Sequence, residues 1–275
     1  MRLDKYISLH NQSLSRTKVK SVIEGGFVKV AGTKIDKPSF YVEDDLPYTD
    51  VEITGMPDSL GFVSRGGLKL DAALEQFNID VSGMKACDIG ASTGGFTDCF
   101  LKRGAAAVYS IDSGHGQLHE SLKNDSRITS IEGFNARNLS PDDIGGLCDI
   151  AAADVSFISQ TYIIPSSSQI LCDGGTYIGL IKPQFEAGKK YIGKNGIVKD
   201  KKAYIFAITV VIESAETHGL LCVGLMDSPI VGGGGNREFL IICEKREIDE
   251  TERIFNRNKI KEFINDENCR NFPQS

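Results

Sequence analysis

Three side chains able to move or hold a proton stand where strand-like runs begin or end, and a fourth stands where a helical run begins. Asp154 follows Ala151-Ala152-Ala153, and Lys182 follows Ile178-Gly179-Leu180-Ile181. Glu238 precedes Phe239-Leu240-Ile241-Ile242, after the glycine run Gly232 to Gly235 and Asn236. Lys69 sits in Ser64-Arg65-Gly66-Gly67-Leu68-Lys69-Leu70, at the start of a helical pattern. Taken singly, each could be an ordinary surface ion pair. A lysine directly after an apolar strand is nonetheless unusual unless it faces a ligand crevice. Ligands of α/β folds bind at the carboxyl ends of the strands, so Asp154, Lys182 and Glu238 can border one crevice. Lysines and carboxylates in such a place supply general acid–base chemistry.

A second constellation is the turn Cys87-Asp88-Ile89-Gly90-Ala91-Ser92-Thr93-Gly94-Gly95-Phe96, between a strand-like run and a helical one. Its glycines let the backbone approach a ligand, and the helix start offers unpaired N–H groups. Asp112 closes the next strand, where an acid can hydrogen-bond ribose hydroxyls. A dinucleotide and S-adenosylmethionine both fit. The spacing G-x-x-x-G-G departs from the dinucleotide pattern G-x-G-x-x-G and shifts the weight toward adenosylmethionine.

The elements that must position these groups follow from periodicity. Strand-like runs are 85–89, 107–111, 128–132, 150–153, 176–181, 221–226 and 238–243. Helical runs lie near 95–103, 159–171 and 201–218. This alternation implies an α/β, mostly parallel sheet with helices on both faces. Before it, 3–9 reads as a short helix, and Ser15 can cap a second one in which Val19, Val22 and Ile23 share a face. Phe27 to Ile35, turning at Ala31-Gly32, reads as a hairpin. The expected organisation is a small unit at 1–55, a linker at 56–62, the α/β domain at 63–246, and an Asn-rich charged tail at 247–275, weakly ordered or helical.

Composition narrows the class. The chain has 275 residues, 41% hydrophobic and 25% charged, enough apolar sequence for a core. No apolar run reaches the ~18 residues of a membrane helix, and no signal-peptide pattern opens the chain. The seven cysteines form no CxxC pair, which disfavours a zinc site or a disulfide framework and suits a cytoplasmic protein with no metal. The net charge of −6 hides a basic start: residues 1–37 hold eight Lys/Arg against three acids, a net of 8 − 3 = +5. Such a patch is a footprint for nucleic acid or simply a solvated face.

Several of these segments carry a resemblance. Val63 to Leu70, Asp88 to Cys99, Asp154 to Ser159, Lys182 to Glu186 and Asn236 to Leu240 closely resemble the TlyA/hemolysin-A family. The N-terminal unit, beginning Arg2-Leu3-Asp4-Lys5-Tyr6, resembles an RNA-binding domain of the ribosomal protein S-four type. The resemblance covers about residues 1–245. It implies a Rossmann-like, FtsJ-like adenosylmethionine-dependent methyltransferase with a small N-terminal α+β RNA-binding domain. The activity implied is 2′-O-methylation of a ribose, expected on a cytidine, in ribosomal RNA or a ribosomal subunit, by a monomer with no membrane partner.

The implied catalytic set is Lys69, Asp154, Lys182 and Glu238. The implied cofactor positions are Asp88, Gly90, Ser92, Gly94, Gly95, Phe96, Asp112, Asn135 and Ala136. RNA contacts are expected from Arg2, Lys5, Arg16, Lys18, Lys20 and Arg65, and from Lys189 and Lys190 in a lysine-rich segment, 188–202, that also holds Lys194. Lys182 is the expected base, with Lys69 beside it disfavouring a second positive charge and the two carboxylates orienting the lysines. Two rival readings are a membrane-active hemolysin and a non-catalytic RNA-binding protein on a retained methyltransferase fold.

Overall fold

Val19, Val22 and Ile23 do fall on the buried face of a helix, α2 (Arg16–Glu24), which packs with α1 (Leu3–His10). Beside them in the same unit is a three-stranded antiparallel sheet of β1 (Val28–Val30), β2 (Thr33–Ile35) and β3 (Val51–Ile53), in the order β2-β1-β3. Leu3, Tyr6, Ile7, Val28, Val42 and Val51 complete its core. The β1–β2 turn uses Ala31 and Gly32, both at positive φ (47° and 77°), as a two-residue hairpin requires.

This computed structural model describes residues 1–10, 16–43, 45–53, 61–193, 196–266 and 271–272. Ser15, Lys194 and most of the expected linker lie outside the described residues, as do the side chains of Arg16, Lys18 and Lys189. The chain divides into two units, Met1–Arg65 and Gly66–Ser275.

The second unit opens with α3 (Gly66–Gln76) and alternates strand and helix: β4 (Lys85–Ile89), α4 (Gly95–Lys102), β5 (Ala107–Ile111), β6 (Ile128–Ile131), β7 (Cys148–Ala153), α5 (Ile164–Ile170), β8 (Leu171–Ile181), α6 (Pro183–Glu186), α7 (Lys201–Thr217), β9 (Leu220–Asp227), β10 (Phe239–Lys245), α8 (Arg257–Asn265) and β11 (Asn271–Phe272). The sheet order is β11-β9-β10-β8-β7-β4-β5-β6. Strands β6, β5, β4, β7 and β8 are parallel neighbours. The central strand β7 is Cys-Asp-Ile-Ala-Ala-Ala, whose Ile150 to Ala153 are fully buried. Both its faces are covered, as in parallel sheets generally. One face packs on α5, α7 and α8 through Tyr177, Phe239, Ile208, Val211 and Phe263.

The structure differs from the sequence expectation in three places. First, β10 runs antiparallel to β8 and β9. The β9–β10 connection contains only a 3₁₀ turn, and a parallel return would need a longer crossover. Second, the run 159–171 is not one helix. Ser159 accepts the Thr161 N–H and starts a 3₁₀ turn, Gln160–Tyr162, and regular helix is confined to α5, with Pro165 in its first turn. Third, the segment after residue 246 is not merely a tail. Asn256 caps α8 by accepting the N–H groups of Asn258 and Lys259, and Ile260, Phe263 and Ile264 are buried in the main core.

Candidate active site

The antiparallel return of β10 explains how Glu238 reaches Lys182. Phe239 pairs with Ile181, so the residue before β10 and the residue after β8 are neighbours in register. On the other side, Ile89 pairs with Ala153, which sets Gly90 beside Asp154. A Cβ on Gly90, whose φ is +85°, would lie 2.7 Å from the Asp154 carbonyl oxygen. The glycine turn and the Asp154 backbone are therefore in direct apposition, and only glycine fits between them.

Two ion pairs form where these strands end. Lys182 Nζ lies 2.6 Å from Asp154 Oδ1 and donates to Ser156 Oγ at 2.8 Å. Lys69, on the first turns of α3, donates to Glu238 Oε2 at 2.6 Å. Lys182 and Glu238 both line a cleft of about 390 Å³, with Ser156, Phe157, Gln184, Phe185, Ile192, Gly196 and Asn236. The structure thus brings Lys69, Asp154, Lys182 and Glu238 together and gives each lysine its own carboxylate. The expected pressure of Lys69 on Lys182 meets this neutralising arrangement. Gly232 makes room for it: a Cβ there would fall 1.8 Å from Glu238 Oε1. Asn236 braces the rim by accepting the Val198 N–H at 2.9 Å and donating to Gly196 O at 3.1 Å.

The glycine turn is stitched to Asp112, whose two oxygens accept the N–H groups of Ser92 and Gly114, each at 2.7 Å. Ser92 sits at φ +49° and Gly94 at +89°, which leaves Ser92 and Thr93 exposed ahead of α4. The Phe134-Asn135-Ala136 loop joins the same place, because Phe134 N–H donates to Asp112 O. Asn135 Oδ1 caps the following turn at Arg137 N. Asp88 and Phe96, also expected at the cofactor, are both buried beneath the turn. Phe96 is 2% exposed and packs in the core, and Asp88 is 1% exposed. Asp88 Oδ2 accepts the N–H and the hydroxyl of Thr97, and Oδ1 has no hydrogen-bond partner. Burial pushes the Asp88 carboxyl up to about 7, against the Thr97 hydrogen bonds and with smaller contributions from the Asp154 and Asp112 charges.

The expected RNA contacts are spread over the chain. Lys5 and Lys20 are exposed. The Arg2 guanidinium is held on both sides by the fully buried Asp4, at 3.0 and 2.8 Å. Arg65 lies 3.6 Å from Glu24. Lys190 is exposed, with its ammonium 4.8 Å from the Tyr191 ring centre. Sequence reasoning missed Phe157. It is 91% exposed, holds φ at +64°, and stands 5.3 Å from the Phe185 ring. A bulky residue in that conformation is strained.

The FtsJ-like methyltransferase family model matches residues 62–245, and the S4 domain model matches residues 1–45. The chain belongs to the FtsJ-like methyltransferase family. It is 42% identical over 241 residues to a candidate rRNA methyltransferase, YqxC, of Bacillus subtilis, covering 87% of this chain and 84% of that one. It is 38% identical over 240 residues to the 16S/23S rRNA (cytidine-2′-O)-methyltransferase TlyA of Mycobacterium tuberculosis, covering 87% and 88%. A solved structure of a candidate hemolysin from Streptococcus thermophilus superposes with a TM-score of 0.72 at 40% identity, covering 96% and 94%. The Rossmann-like fold with an N-terminal S4 domain, expected from sequence, is therefore present. An FtsJ-like methyltransferase needs a site for a cationic methyl donor, and this site fits one. The Asp112 carboxylate is bound to the glycine turn through the Ser92 N–H, and Gly90 of the same turn lies against the Asp154 backbone, so two acids flank the turn. Among the described residues no cluster of acids, His and Cys could hold a metal ion.

Proposed function

We propose that this protein transfers the methyl group of S-adenosylmethionine to a ribose 2′-hydroxyl of ribosomal RNA. The observation that carries this reading is the Lys182–Asp154–Ser156 contact on the cleft that Glu238, itself bound to Lys69, also lines. Adenosylmethionine supplies a methyl on a cationic sulfur that leaves as a neutral thioether. Gly90, Ser92, Gly94 and Gly95 would hold it with backbone, Asp112 with its remaining lone pairs, and Asn135 and Ala136 at the loop edge. Asp88 and Phe96 shape that loop from behind.

The ribose hydroxyl must lose its proton as its oxygen attacks. Lys182, in its neutral form, takes that proton at Nζ. Asp154 and Ser156 keep Nζ aimed into the cleft, and Asp154 balances the ammonium that forms. Glu238 fixes Lys69, and both stand behind the reacting oxygen as fixed charges. The exposed Phe157 ring, backed by the half-buried Phe185, offers an aromatic surface at the rim on which a splayed-out base can stack. The preferred target nucleoside is cytidine, in keeping with the name of the mycobacterial relative.

RNA capture is assigned to the S4 domain, through Lys5 and Lys20, and to the lysine-rich segment near Lys190. The working unit is taken as a cytoplasmic monomer. No helix among the described residues is long and apolar enough to cross a membrane. The test is methyl transfer from labelled adenosylmethionine to ribosomal RNA, followed by mapping of 2′-O-methyls. Label on a base, or binding of RNA without any transfer, would overturn the assignment.

A further inference from the structure

We propose that Gln160 is a positioning residue whose side-chain amide sets the Asp154–Lys182 separation by tying together the ends of the two strands that carry them. The last paired rung between β7 and β8 is Ala153 with Gly179. Beyond it the strands part, β7 into the Asp154 loop and β8 into Pro183, which has no N–H to donate. Each end is still held on its far side, Asp154 by its N–H to Ile89 O and Ile181 by pairing with Phe239, but no β7–β8 ladder joins the two residues to each other.

Gln160 fills that gap. It is 1% exposed, and its Nε2 donates to Ala153 O at 3.1 Å and to Leu180 O at 2.9 Å. Ala153 immediately precedes Asp154, and Leu180 stands two residues before Lys182. The amide oxygen is also used, accepting the Tyr177 hydroxyl at 2.7 Å. Tyr177 is fully buried, and burial pushes its phenol well up, so it remains a donor. With Oε1 committed to Tyr177, the two amide protons must face the two carbonyls. Only a carboxamide offers one acceptor and two donors in this layout.

The neighbours are shaped to the same end. A Cβ on Gly179 would lie 2.9 Å from Tyr177 Cε1 and 3.3 Å from its hydroxyl oxygen, so the glycine lets the Tyr177 ring lie along the strand toward Gln160. The Gln160 N–H donates to Glu186 Oε1 at 2.8 Å, and the Ser159 hydroxyl donates to Glu186 Oε2. Glu186 ends α6, the helix that starts directly after Lys182. The same short turn thus grips the lysine segment twice. Gln160, Tyr177 and Glu186 do not line the cleft, so they act through Asp154 and Lys182.

The kinetic part of this inference rests on the methyltransferase reading; the geometric part does not. The test compares wild type, Q160M, Y177F and the double variant. Single-turnover methyl transfer to ribosomal RNA, adenosylmethionine affinity by calorimetry, and a crystal structure of Q160M are measured. Q160M should lower the transfer rate about tenfold or more, since small misplacements of reacting groups cost that much. Its adenosylmethionine affinity should stay within about threefold, because the glycine turn is untouched. Y177F should cost less, and should cost nothing further in the Q160M background. In the Q160M crystal, Lys182 Nζ should have left Asp154. A wild-type rate in folded Q160M, a Y177F effect that persists undiminished in Q160M, or an intact 2.6 Å contact would each overturn the inference. If Q160M does not fold, an unchanged rate in Y177F overturns it. If wild type binds adenosylmethionine but methylates no RNA, the methyltransferase reading has failed, and the Q160M crystal still decides the role of Gln160.

Discussion

The two lysine–carboxylate pairs have the same length and different surroundings. The Lys69–Glu238 pair is the more deeply buried, with side chains 9% and 2% exposed, although Glu238 borders the cleft. The Lys182–Asp154 pair is more open, at 11% and 20%, and touches the exposed Ser156. A deeply buried pair has lost most of its water, so removing one partner strands a buried charge. An open pair can exchange its partner for a substrate group. On the proposed function, that difference would make Lys69–Glu238 a fixed electrostatic support and Lys182–Asp154 the working pair.

The sharpest way to break that division is to remove each lysine in turn. Lys182→Met should lower single-turnover methyl transfer by ~10²–10⁴-fold, the usual worth of a general base, while thermal stability and adenosylmethionine affinity change little. Lys69→Met should do the reverse in stability, costing ~3–5 kcal/mol by urea unfolding because Glu238 is left buried and unpaired. A second change, Glu238→Gln, should restore much of that stability in the Lys69→Met background without restoring activity. Equal stability losses for the two single variants would erase the distinction between the pairs.

Asp88 extends the comparison to a buried carboxylate with no cation beside it. Its carboxyl titrates near 7 in the fold, above the usual value near 3.9 in the unfolded chain. The folded state therefore holds this proton more tightly, and the stability it confers is complete below about pH 4. That stability is lost as pH rises to about 7. Relative to Asp88→Asn, which has no charge to bury, wild type should lose about 2–3 kcal/mol between pH 5 and pH 8. Parallel stability–pH curves for the two proteins would place the Asp88 titration elsewhere.

Much of this site was legible because its residues punctuate strands that are buried on both faces. Runs 85–89 and 107–111 coincide with β4 and β5, each an apolar stretch closed by a turn signal. Asp154, Lys182 and Glu238 stood out as charges at the ends of such runs. The direction of β10 was not legible, since antiparallel pairing with β8 is a long-range choice that local periodicity does not encode. Gln160 stayed hidden for the same reason: its partners, Ala153, Leu180 and Tyr177, meet only in the fold. The α8 helix did carry a signal. Ile260, Phe263 and Ile264 have helical spacing after the capping Asn256, which fits the helical alternative for this segment; that they pack into the main core was not legible.

Gly232 offers a gentler probe of the buried pair than removing Lys69. Its φ of −69° suits any residue, so Gly232→Ala introduces a contact and no backbone strain. The new Cβ would occupy the position of the Glu238 carboxylate, which must swing off Lys69 to avoid it. Methyl transfer should fall about tenfold or more for a misplaced group. The stability loss should be ~1–3 kcal/mol, the range for overpacking and below that of Lys69→Met. An unchanged rate would show that Glu238 need not stay where it is.

On the open side, Phe157 gives the smallest and most selective effect. Its ring is almost wholly exposed, so it contributes little to the core, and its positive φ costs stability. Phe157→Gly removes that strain, worth ~1–2 kcal/mol, and adds backbone freedom to the unfolded chain that offsets about half of it. Net stability should therefore stay within about 1 kcal/mol of wild type. RNA recognition should not be neutral, because a base stacked on an aromatic ring is worth ~1–3 kcal/mol. The half-saturating RNA concentration should accordingly rise about 5- to 150-fold, with adenosylmethionine affinity unchanged. Phe157→Tyr keeps the stacking face and the strain, and should behave as wild type. If Phe157→Gly binds RNA normally, the strained ring at the rim serves something other than the target base, and the open pair would be reached without its help.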